Sequence, residues 1–548
     1  MGLKSRRRGK RVLFKHYVRR ATRRAMDTTA RHLSPRLFAA SSSRRGGARS
    51  YRIVRLDGLP TVSLINPQLQ LPAQRLHALE DVRRLLASAG LRHWILPTES
   101  NEPTAVCLAS SDQSSFYESL SLNRSLRHWY VSPLTDRGQT MPSVFHTYSR
   151  ALRRFNAVRL WEVVSAGTSS SFASGPQQGV EVQFWSESDD GLLYSPVWRE
   201  QATALSPTQA LDQDVDGVPR VWSTHTHLSR TTLPIDVVFT WVDGSDPAWL
   251  EQKAESVGVL DVSTFTERAQ DAARFADHDE LRFSLRSLEQ FAPWVNKIWI
   301  VTSGQIPEWL DESNPKVEVV RHSQIWPDEE GLPTFNSHAI EACLHRIPGL
   351  AEHFLYLNDD MILGRPVSPG LFFYPSGVGK AFQSRALVDH APSAAGEVAS
   401  SSAAKNARSV LVHQFKRVPT RKFFHTAAPL RVSVLEEIER QNEELFRSTR
   451  SATFRTTHDI AAAGSLYLNH ALATGHSVPG RIRYEYIDPA TPDGQSRLAR
   501  VLKSRAFDAF CLNDGATEQS EPERKESDRI IRRALAEYLP VPSQYEKD

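Results

Sequence analysis

From Pro234 onward the sequence alternates short apolar runs with segments of helical periodicity. The run Ile235–Trp241 is rich in β-branched and aromatic residues and ends at the turn-forming pairs Asp-Gly and Asp-Pro, which is typical of a buried strand. Leu281, Leu285 and Leu288 then recur at helical spacing. Further strands are predicted over 297–302, 317–321 and 353–357, with a second helix over 337–347. This alternation predicts an α/β fold with a mostly parallel sheet covered by helices on both faces.

Carboxylates follow two of these predicted strands. Asp243 comes after the first strand, and Asp359 and Asp360 follow the strand over 353–357. The carboxyl ends of parallel strands share one edge of a sheet, where open α/β sheets bind their ligands. Adjacent carboxylates suit Mg²⁺ or Mn²⁺, which can bridge to a diphosphate, although two acids can also cap a turn. Asn513 and Asp514 offer a second Asn-Asp pair with the same two interpretations.

Four further residues could carry chemistry, and each has a plainer interpretation. Asn336 and Ser337 open a predicted helix, where backbone N–H groups favour anions, but simple N-capping also explains them. His425 could accept a proton from a hydroxyl, although it is one of 19 histidines. Arg455 could clamp a phosphate, or it could form a surface ion pair with Asp459.

The positive charge is concentrated at the N-terminus. Residues 1–50 contain 16 of the 67 Lys and Arg residues but one of the 62 Asp and Glu residues, so the remaining chain has a net charge of −10. This tail is predicted to be disordered, or to lie on an anionic membrane surface through its interleaved apolar residues. The acidic remainder argues against specific nucleic-acid binding.

The chain is long enough for two or more domains. We expect an accessory mixed α/β domain over 51–204, a linker over 205–233, and a catalytic domain over 234–548 with a flexible insertion at 376–410 and a helical C-terminal part. No apolar run approaches the length of a membrane helix. Three widely separated cysteines form neither a disulfide framework nor a zinc-binding spacing, so a cytoplasmic location is expected. The basic tail would place the protein at the inner face of the membrane.

Longer blocks of sequence carry a family resemblance. They read IDVVFTWVDGSDP; RFADHDELRFSLRSLEQFAPW with LPTFNSHAIEACLHR and LYLNDDMILG; HTAAPLRVSVLEEI with FRTTHDIAAAGSLYLNHAL; and FCLNDG. In this order they resemble the Stealth family of hexose-1-phosphate transferases. The layout is most similar to the actinobacterial exopolysaccharide phosphotransferases, which are related to the lysosomal-enzyme GlcNAc-1-phosphotransferase.

The resemblance implies a glycosyltransferase-A-like, Rossmann-like sheet and transfer of a sugar-1-phosphate from a nucleotide-sugar to a glycan hydroxyl in exopolysaccharide or capsule synthesis. It also implies roles for site residues: Asp359, Asp360, Asn513 and Asp514 as metal ligands; Arg455 and Arg282 on the phosphoryl oxygens; His425 as base; Asp243, Ser245, Asn336 and Ser337 on the nucleotide-sugar. Two alternatives stay open, namely a metal-dependent glycosyltransferase that attacks the anomeric carbon, and a non-enzymatic protein that binds anionic lipid or nucleic acid through its tail.

Overall fold

The structure, a computed structural model, describes the chain except residues 1–50, 57–58, 99–101, 127, 142, 167–171, 199–203, 225–227, 260–274, 328–330, 395–396, 514–519 and 548. The basic tail therefore lies outside the described residues. The chain divides into two compact units, Met1–His227 and Leu228–Asp548. Among the described residues, no helix combines the length and apolar character that crossing a bilayer requires.

The N-terminal unit is built on a mixed eight-stranded sheet. Its strands run in the order β11-β10-β9-β7-β5-β6, with β4 also paired to β9 and β3 to β4, while β1, β2 and β8 form a smaller sheet. Buried side chains such as Val82, Phe116 and Phe184 form its core, and they place α1 and α2 against the large sheet. The elements are β1 Tyr51–Leu56, β2 Leu59–Ile65, α1 Leu71–Ser88, β3 Trp94–Leu96, β4 Ala105–Ala109, α2 Gln113–Leu122, β5 Tyr130–Pro133, β6 Val144–Phe145, β7 Ala157–Trp161, β8 Val164–Ser165, β9 Val180–Glu187, β10 Leu193–Tyr194, β11 Ala204–Leu205, α3 Pro207–Leu211 and α4 Arg220–Ser223.

The segment predicted as a linker belongs in large part to this unit. Strand β11 pairs with β10, and Leu205 and Ala210 are buried in a cluster with Trp94 and Trp185. The backbone N–H of Ile95 also donates to the carbonyl of Gly217 at 2.9 Å. Buried apolar residues therefore hold this segment against the N-terminal unit, and its polar composition reflects its exposed turns.

The C-terminal unit contains the strand and helix alternation that the sequence predicts. Its elements are β12 Ile235–Thr240, α5 Pro247–Val259, α6 Glu280–Phe291, β13 Ile298–Thr302, β14 Val317–Arg321, α7 His322–Ile325, α8 Ser337–Glu341, β15 His353–Asn358, β16 Met361–Leu363, β17 Gly379–Ala381, β18 Gln383–Leu387, α9 Ala399–Phe415, β19 Arg421–Phe423, β20 Ala428–Arg431, α10 Val432–Gln441, α11 Glu443–Arg450, α12 Tyr467–Thr474, β21 Ser477–Pro479, β22 Tyr484–Ile487, α13 Pro492–Ser504, β23 Ala509–Leu512 and α14 Glu521–Tyr538. The predicted helix over 337–347 is reduced to the short α8 and a 3-10 turn.

The central sheet of this unit has the strand order β14-β13-β12-β15-β20. The first four strands are parallel, and only β20 runs antiparallel to its neighbour β15. Thr240 at the end of β12 lies opposite Asn358 at the end of β15, so both strands end at one edge. The predicted α/β fold with a mostly parallel sheet is confirmed, and the polar residues after β15 lie at the ligand-binding edge.

The region 376–410, predicted to be a flexible insertion, instead contains β17, β18 and the first part of α9. Ala403, Ala404 and Ala407 of α9 are buried. Lys405 forms ion pairs with Asp389 at 3.1 Å and with Glu397 at 2.6 Å. The Ala- and Ser-rich composition allows α9 to pack closely against its neighbours, which the sequence alone did not reveal.

Candidate active site

A cavity of about 880 Å³ opens at the carboxyl edge of the central sheet. Strand ends, helix starts and loops that are far apart in sequence all contribute to its wall. The polar residues that line it include Thr240, Glu280, Ser337, Glu341, Asn358, Asp359, Asp360, His425, Arg455 and Asn513. Six of the eleven site residues predicted from the sequence are in this group.

Asp360 and His425 form the closest charged pair in the cavity wall among the described residues. Tyr356 on β15 pairs with Ala428 on β20, and this register brings the residues that flank the two strands together. Nε2 of His425 lies 3.3 Å from Oδ1 of Asp360, and the two side chains are 42% and 14% exposed. Desolvation lowers the pKa of His425, but the Asp360 carboxylate outweighs it and raises this pKa above its ordinary value.

Asp360 responds in the opposite direction. Burial raises the pKa of its carboxyl group, yet the charge of nearby His425 and hydrogen bonds from Cys511 and Asn513 bring this pKa below its ordinary value. Asp360 therefore keeps its negative charge readily, which suits a residue that attracts a cation.

Two further carboxyl groups crowd the same wall. Burial, followed by repulsion from Asp360 and Asp277, raises the pKa of Asp359 to about 8. Burial and the charge of Asp359 raise the pKa of Glu280 well above its ordinary value. Because these acids repel one another, a bound cation would stabilise their charged forms.

The oxygen-rich donor set fits a hard divalent cation. Oδ1 of Asp360 is a buried atom with no hydrogen-bond partner among the described residues. Asp359 and Asp360 offer carboxylate oxygens, and Asn513 lies beside them, with its Nδ2 3.3 Å from Oδ2 of Asp360. These ligand types match the preference of Mg²⁺ and Mn²⁺. Asp514, the other predicted ligand, lies outside the described residues.

Strand β23 brings a thiol to the same carboxylate. Cys511 pairs with Met361 across the antiparallel β16 and β23. Its Sγ lies 3.1 Å from Oδ2 of Asp360. Cys511 is fully buried, so the thiol contacts the site from behind the wall rather than from the open cavity.

Arg455 lines the same cavity and forms a hydrogen bond with Ser337. Its Nη2 donates a hydrogen bond to Oγ of Ser337, while its buried Nε has no hydrogen-bond partner in the described part of the chain. Burial lowers the pKa of this guanidinium, and Glu341 opposes that shift. A desolvated guanidinium with an unpaired N–H is suited to bind an anion such as a phosphoryl group.

Glu341 and Glu280 are functional candidates that the sequence interpretation missed. Glu341 is buried, and burial raises its pKa against the opposing charges of His338 and Arg455. Glu280 begins α6 and Glu341 ends α8, and this position at a helix end is the sequence signal that could have identified them. An acid near the start of a helix is so often explained by the helix dipole that the pattern alone does not distinguish Glu280.

The structure places four predicted site residues outside the cavity wall. Asp243 accepts hydrogen bonds from the backbone N–H and Oγ of Ser245 at 2.8 and 2.6 Å, which closes a local turn. Thr240, Trp241 and Val242 line the cavity in their place. For Asp243 and Ser245, a direct contact with the nucleotide is therefore not supported by the geometry.

Asn336 and Arg282 have structural partners instead of facing the cavity. The Asn336 side chain caps α8 by accepting from the N–H of His338 at 3.1 Å, and its Nδ2 donates to Asp459 at 2.8 Å. Arg282 forms an ion pair with Glu546, which Arg286 also contacts at 2.7 Å. The simpler N-cap interpretation is correct for Asn336, and the expected phosphate contact of Arg282 is replaced by this ion pair.

Comparison with known proteins decides the family. Models of Stealth protein conserved regions 1, 2, 3 and 4 match residues 233–257, 274–381, 424–471 and 499–548. An exopolysaccharide phosphotransferase of Streptomyces coelicolor is 35% identical, over 98% of this chain and 93% of that protein. The chain belongs to the Stealth protein family. The exopolysaccharide phosphotransferase CpsY of Mycobacterium tuberculosis is 37% identical, over 69% of this chain and 71% of that protein.

A solved structure of the galactosyltransferase LgtC is also similar, at 11% identity and a TM-score of 0.27, covering 57% of this chain and 99% of that chain. A likeness at this level carries no argument about chemistry. The fold assignment of this Stealth protein rests on its own strand pairing.

All four Stealth regions contribute to the cavity wall. Region 1 supplies Thr240, region 2 supplies Asp359 and Asp360, region 3 supplies His425 and Arg455, and region 4 supplies Asn513. The conserved regions of the family therefore converge at one site. The N-terminal unit lies outside these four regions, yet the coverage of the Streptomyces relative includes it.

Proposed function

We propose that this Stealth protein transfers a sugar-1-phosphate from a nucleotide-sugar to a hydroxyl of a glycan, forming a phosphodiester in exopolysaccharide synthesis. The observation that carries the proposal is the convergence of Asp360, His425 and Arg455 on one cavity. Attack at phosphorus requires a carboxylate that binds a metal ion, a base, and a cation that binds phosphate, and these three residues match those requirements. The relatives named exopolysaccharide phosphotransferases agree with this chemistry.

Asp359, Asp360 and Asn513 would hold Mg²⁺ or Mn²⁺. When bound, the ion neutralises negative charge on the donor diphosphate. The fit rests on the unpartnered Oδ1 of Asp360 and on the crowding that raises the pKa of Asp359.

Arg455 binds the phosphoryl group that is transferred. Its guanidinium is desolvated, and its contact with Ser337 fixes the side chain. The free Nε–H can donate to a non-bridging oxygen, where negative charge must be stabilised as the bond to the leaving nucleoside monophosphate breaks.

His425 accepts the proton of the attacking hydroxyl at Nδ1, the ring nitrogen that does not face Asp360. The Asp360 carboxylate orients the ring and, without a cation, favours its protonated form. Charge neutralisation at Asp360 would favour the neutral imidazole that a base requires. The hydroxyl oxygen then forms the new bond to phosphorus.

Identification of the released nucleotide tests this function. The purified protein is incubated with Mg²⁺, a panel of UDP- and GDP-sugars and a mixed glycan acceptor, and the products are analysed by mass spectrometry. Acceptor-dependent release of UMP or GMP is expected. Release of UDP or GDP would instead establish attack at the anomeric carbon, the alternative glycosyltransferase reaction.

We also propose that residues 1–50 contact an anionic membrane surface. Their high density of Lys and Arg with interleaved apolar residues supports this placement. Cosedimentation with vesicles that contain anionic lipid should be lost when residues 1–50 are deleted, while turnover of water-soluble substrates persists. Equal binding to neutral vesicles would contradict the electrostatic attachment.

A further inference from the structure

Three side chains of different chemistry come together where Asp360 and His425 line the cavity and Cys511 is buried behind them. Asp360, His425 and Cys511 each present one ligand atom, and these atoms all lie within 4.8 Å of one another. Nε2 of His425 is 3.3 Å from Oδ1 of Asp360, and Sγ of Cys511 is 3.1 Å from Oδ2 of the same carboxylate. Asp360 lies in the turn after β15, His425 in the loop before β20, and Cys511 in β23.

This set of donors differs from the one that suits Mg²⁺. Magnesium prefers oxygen ligands, whereas a carboxylate, an imidazole and a thiolate together favour Zn²⁺. Metal-ligand bonds of roughly 2.0 to 2.3 Å in a tetrahedral zinc site separate neighbouring ligand atoms by roughly 3.3 to 3.5 Å. The observed separations of 3.3 and 3.1 Å run to different oxygens of Asp360, and the three ligand atoms lie within 4.8 Å of one another, so side-chain rotations that bring them closer to one oxygen would complete the coordination.

A second observation also indicates a cation. Oδ1 of Asp360 is buried and lacks a hydrogen-bond partner among the described residues, even though Nε2 of His425 faces it. A buried carboxylate oxygen without a partner is energetically costly, and a bound cation would satisfy it.

We propose that Asp360, His425 and Cys511 form a binding site for a thiophilic divalent cation, Zn²⁺, with the fourth coordination position open to the cavity. Binding breaks the S–H bond of Cys511, releases that proton to solvent, and forms one bond each to sulfur, nitrogen and oxygen without electron transfer. Zinc at this position binds Nε2 of His425, which leaves the ring proton on Nδ1, and it occupies an oxygen of Asp360. It is therefore inhibitory, a consequence that rests on the proposed function, whereas the binding itself does not.

Cobalt spectroscopy tests the site directly. The metal-free full-length protein is titrated with Co²⁺, which reports thiolate ligation by a charge-transfer absorption and tetrahedral geometry by intense visible bands. We expect one equivalent to produce both signals and Zn²⁺ to displace it. Cys511→Ser should abolish the charge-transfer absorption, while Cys107→Ser, a matched change of a buried thiol in the N-terminal unit, should retain it.

Two results would overturn the proposal: no charge-transfer absorption in the unsubstituted protein, or its persistence in Cys511→Ser. If circular dichroism shows that Cys511→Ser does not fold, His425→Gln serves as the second variant. It should keep the thiolate signal but weaken Co²⁺ affinity at least tenfold, and unchanged affinity would remove His425 from the site.

An activity measurement tests inhibition separately. With saturating Mg²⁺, Zn²⁺ should inhibit donor cleavage in the unsubstituted protein and in Cys107→Ser at concentrations at least tenfold lower than in Cys511→Ser. Equal sensitivity of all three would refute inhibition through this site. If Co²⁺ binds through Cys511 but no sugar-phosphate transfer is detected with any donor, the cation site stands and the proposed function fails.

Discussion

Nε2 of His425 lies 3.3 Å from Oδ1 of Asp360, which joins a residue from Stealth region 3 to one from region 2. The contact depends on the antiparallel pairing of β15 with β20, because that register sets the residues beside the two strands next to each other. The pair combines the proposed cation-binding carboxylate and the proposed base in one close charged contact. Replacing Asp360 should therefore impair both cation binding and proton transfer, whereas replacing His425 should impair mainly proton transfer.

Asp360→Asn should reduce sugar-phosphate transfer by a factor of roughly 10² to 10⁴, because it removes the charge that attracts the cation and orients His425. Initial rates of nucleotide release at saturating Mg²⁺ measure the effect. Asp190→Asn, at an exposed turn of the N-terminal unit, is the matched control and should retain full activity. Near-normal rates in Asp360→Asn would exclude this carboxylate from the mechanism.

His425→Ala should lower kcat by a factor of roughly 10² to 10⁴, the usual contribution of a general base. Donor binding, measured by calorimetry with a non-reacting nucleotide, should change much less. His413→Ala removes an exposed histidine on α9 and should leave both quantities unchanged. A normal kcat in His425→Ala would assign the proton transfer to another group.

Arg455→Lys keeps the charge but loses the planar set of donors, and it should lower kcat by a factor of roughly 10² to 10³. Arg282→Lys is the contrasting substitution, because Arg282 pairs with Glu546 and does not line the cavity. It should reduce the melting temperature more than the turnover number. Equal losses of kcat in both variants would contradict the distinction that the structure makes between them.

Chelation should abolish transfer, and either Mg²⁺ or Mn²⁺ should restore it, since the crowded carboxylates need a cation to bind a diphosphate. Rates are measured after exhaustive treatment with a chelator and after metal is added back. Asp359→Asn should raise the Mg²⁺ concentration needed for half-maximal activity. Undiminished activity in the metal-free protein would refute the metal assignment.

Glu546 should contribute an acid-sensitive part of the stability. Burial raises its pKa, but hydrogen bonds and charge from Arg286 and Arg282 lower it from 4.5 to about 2. The folded pKa is below the unfolded one, so this stabilisation is present above about pH 4.5 and is lost as pH falls toward about 2. Glu546→Gln should lower the free energy of unfolding by ~3 kcal/mol at pH 7 and by progressively less below pH 4.5, as measured by urea denaturation. A deficit that does not change with pH would contradict this role.

The sequence predicted the acids after β15, His425 and Arg455 as site residues because the family resemblance covers those positions, and the structure brings them to one cavity. It missed Glu280, Glu341 and Cys511, whose importance depends on which elements face them. It left an N-cap and an anion-binding role open for Asn336, and it did not predict the ion pair of Arg282. Asn336 bonds to Asp459, and Arg282 pairs with a residue 264 positions later.

What the sequence by itself determined is the α/β alternation, the Stealth family and the chemical types of the central site residues. Local periodicity and turn chemistry encode the strands and helices, and a parallel sheet places their carboxyl ends at one edge. Only the tertiary structure decided which side chains meet at that edge. Strand register places Cys511 and His425 beside Asp360, and Arg282 forms an ion pair with Glu546 instead of lining the cavity. The sequence does not show these contacts because they join segments that no local pattern relates.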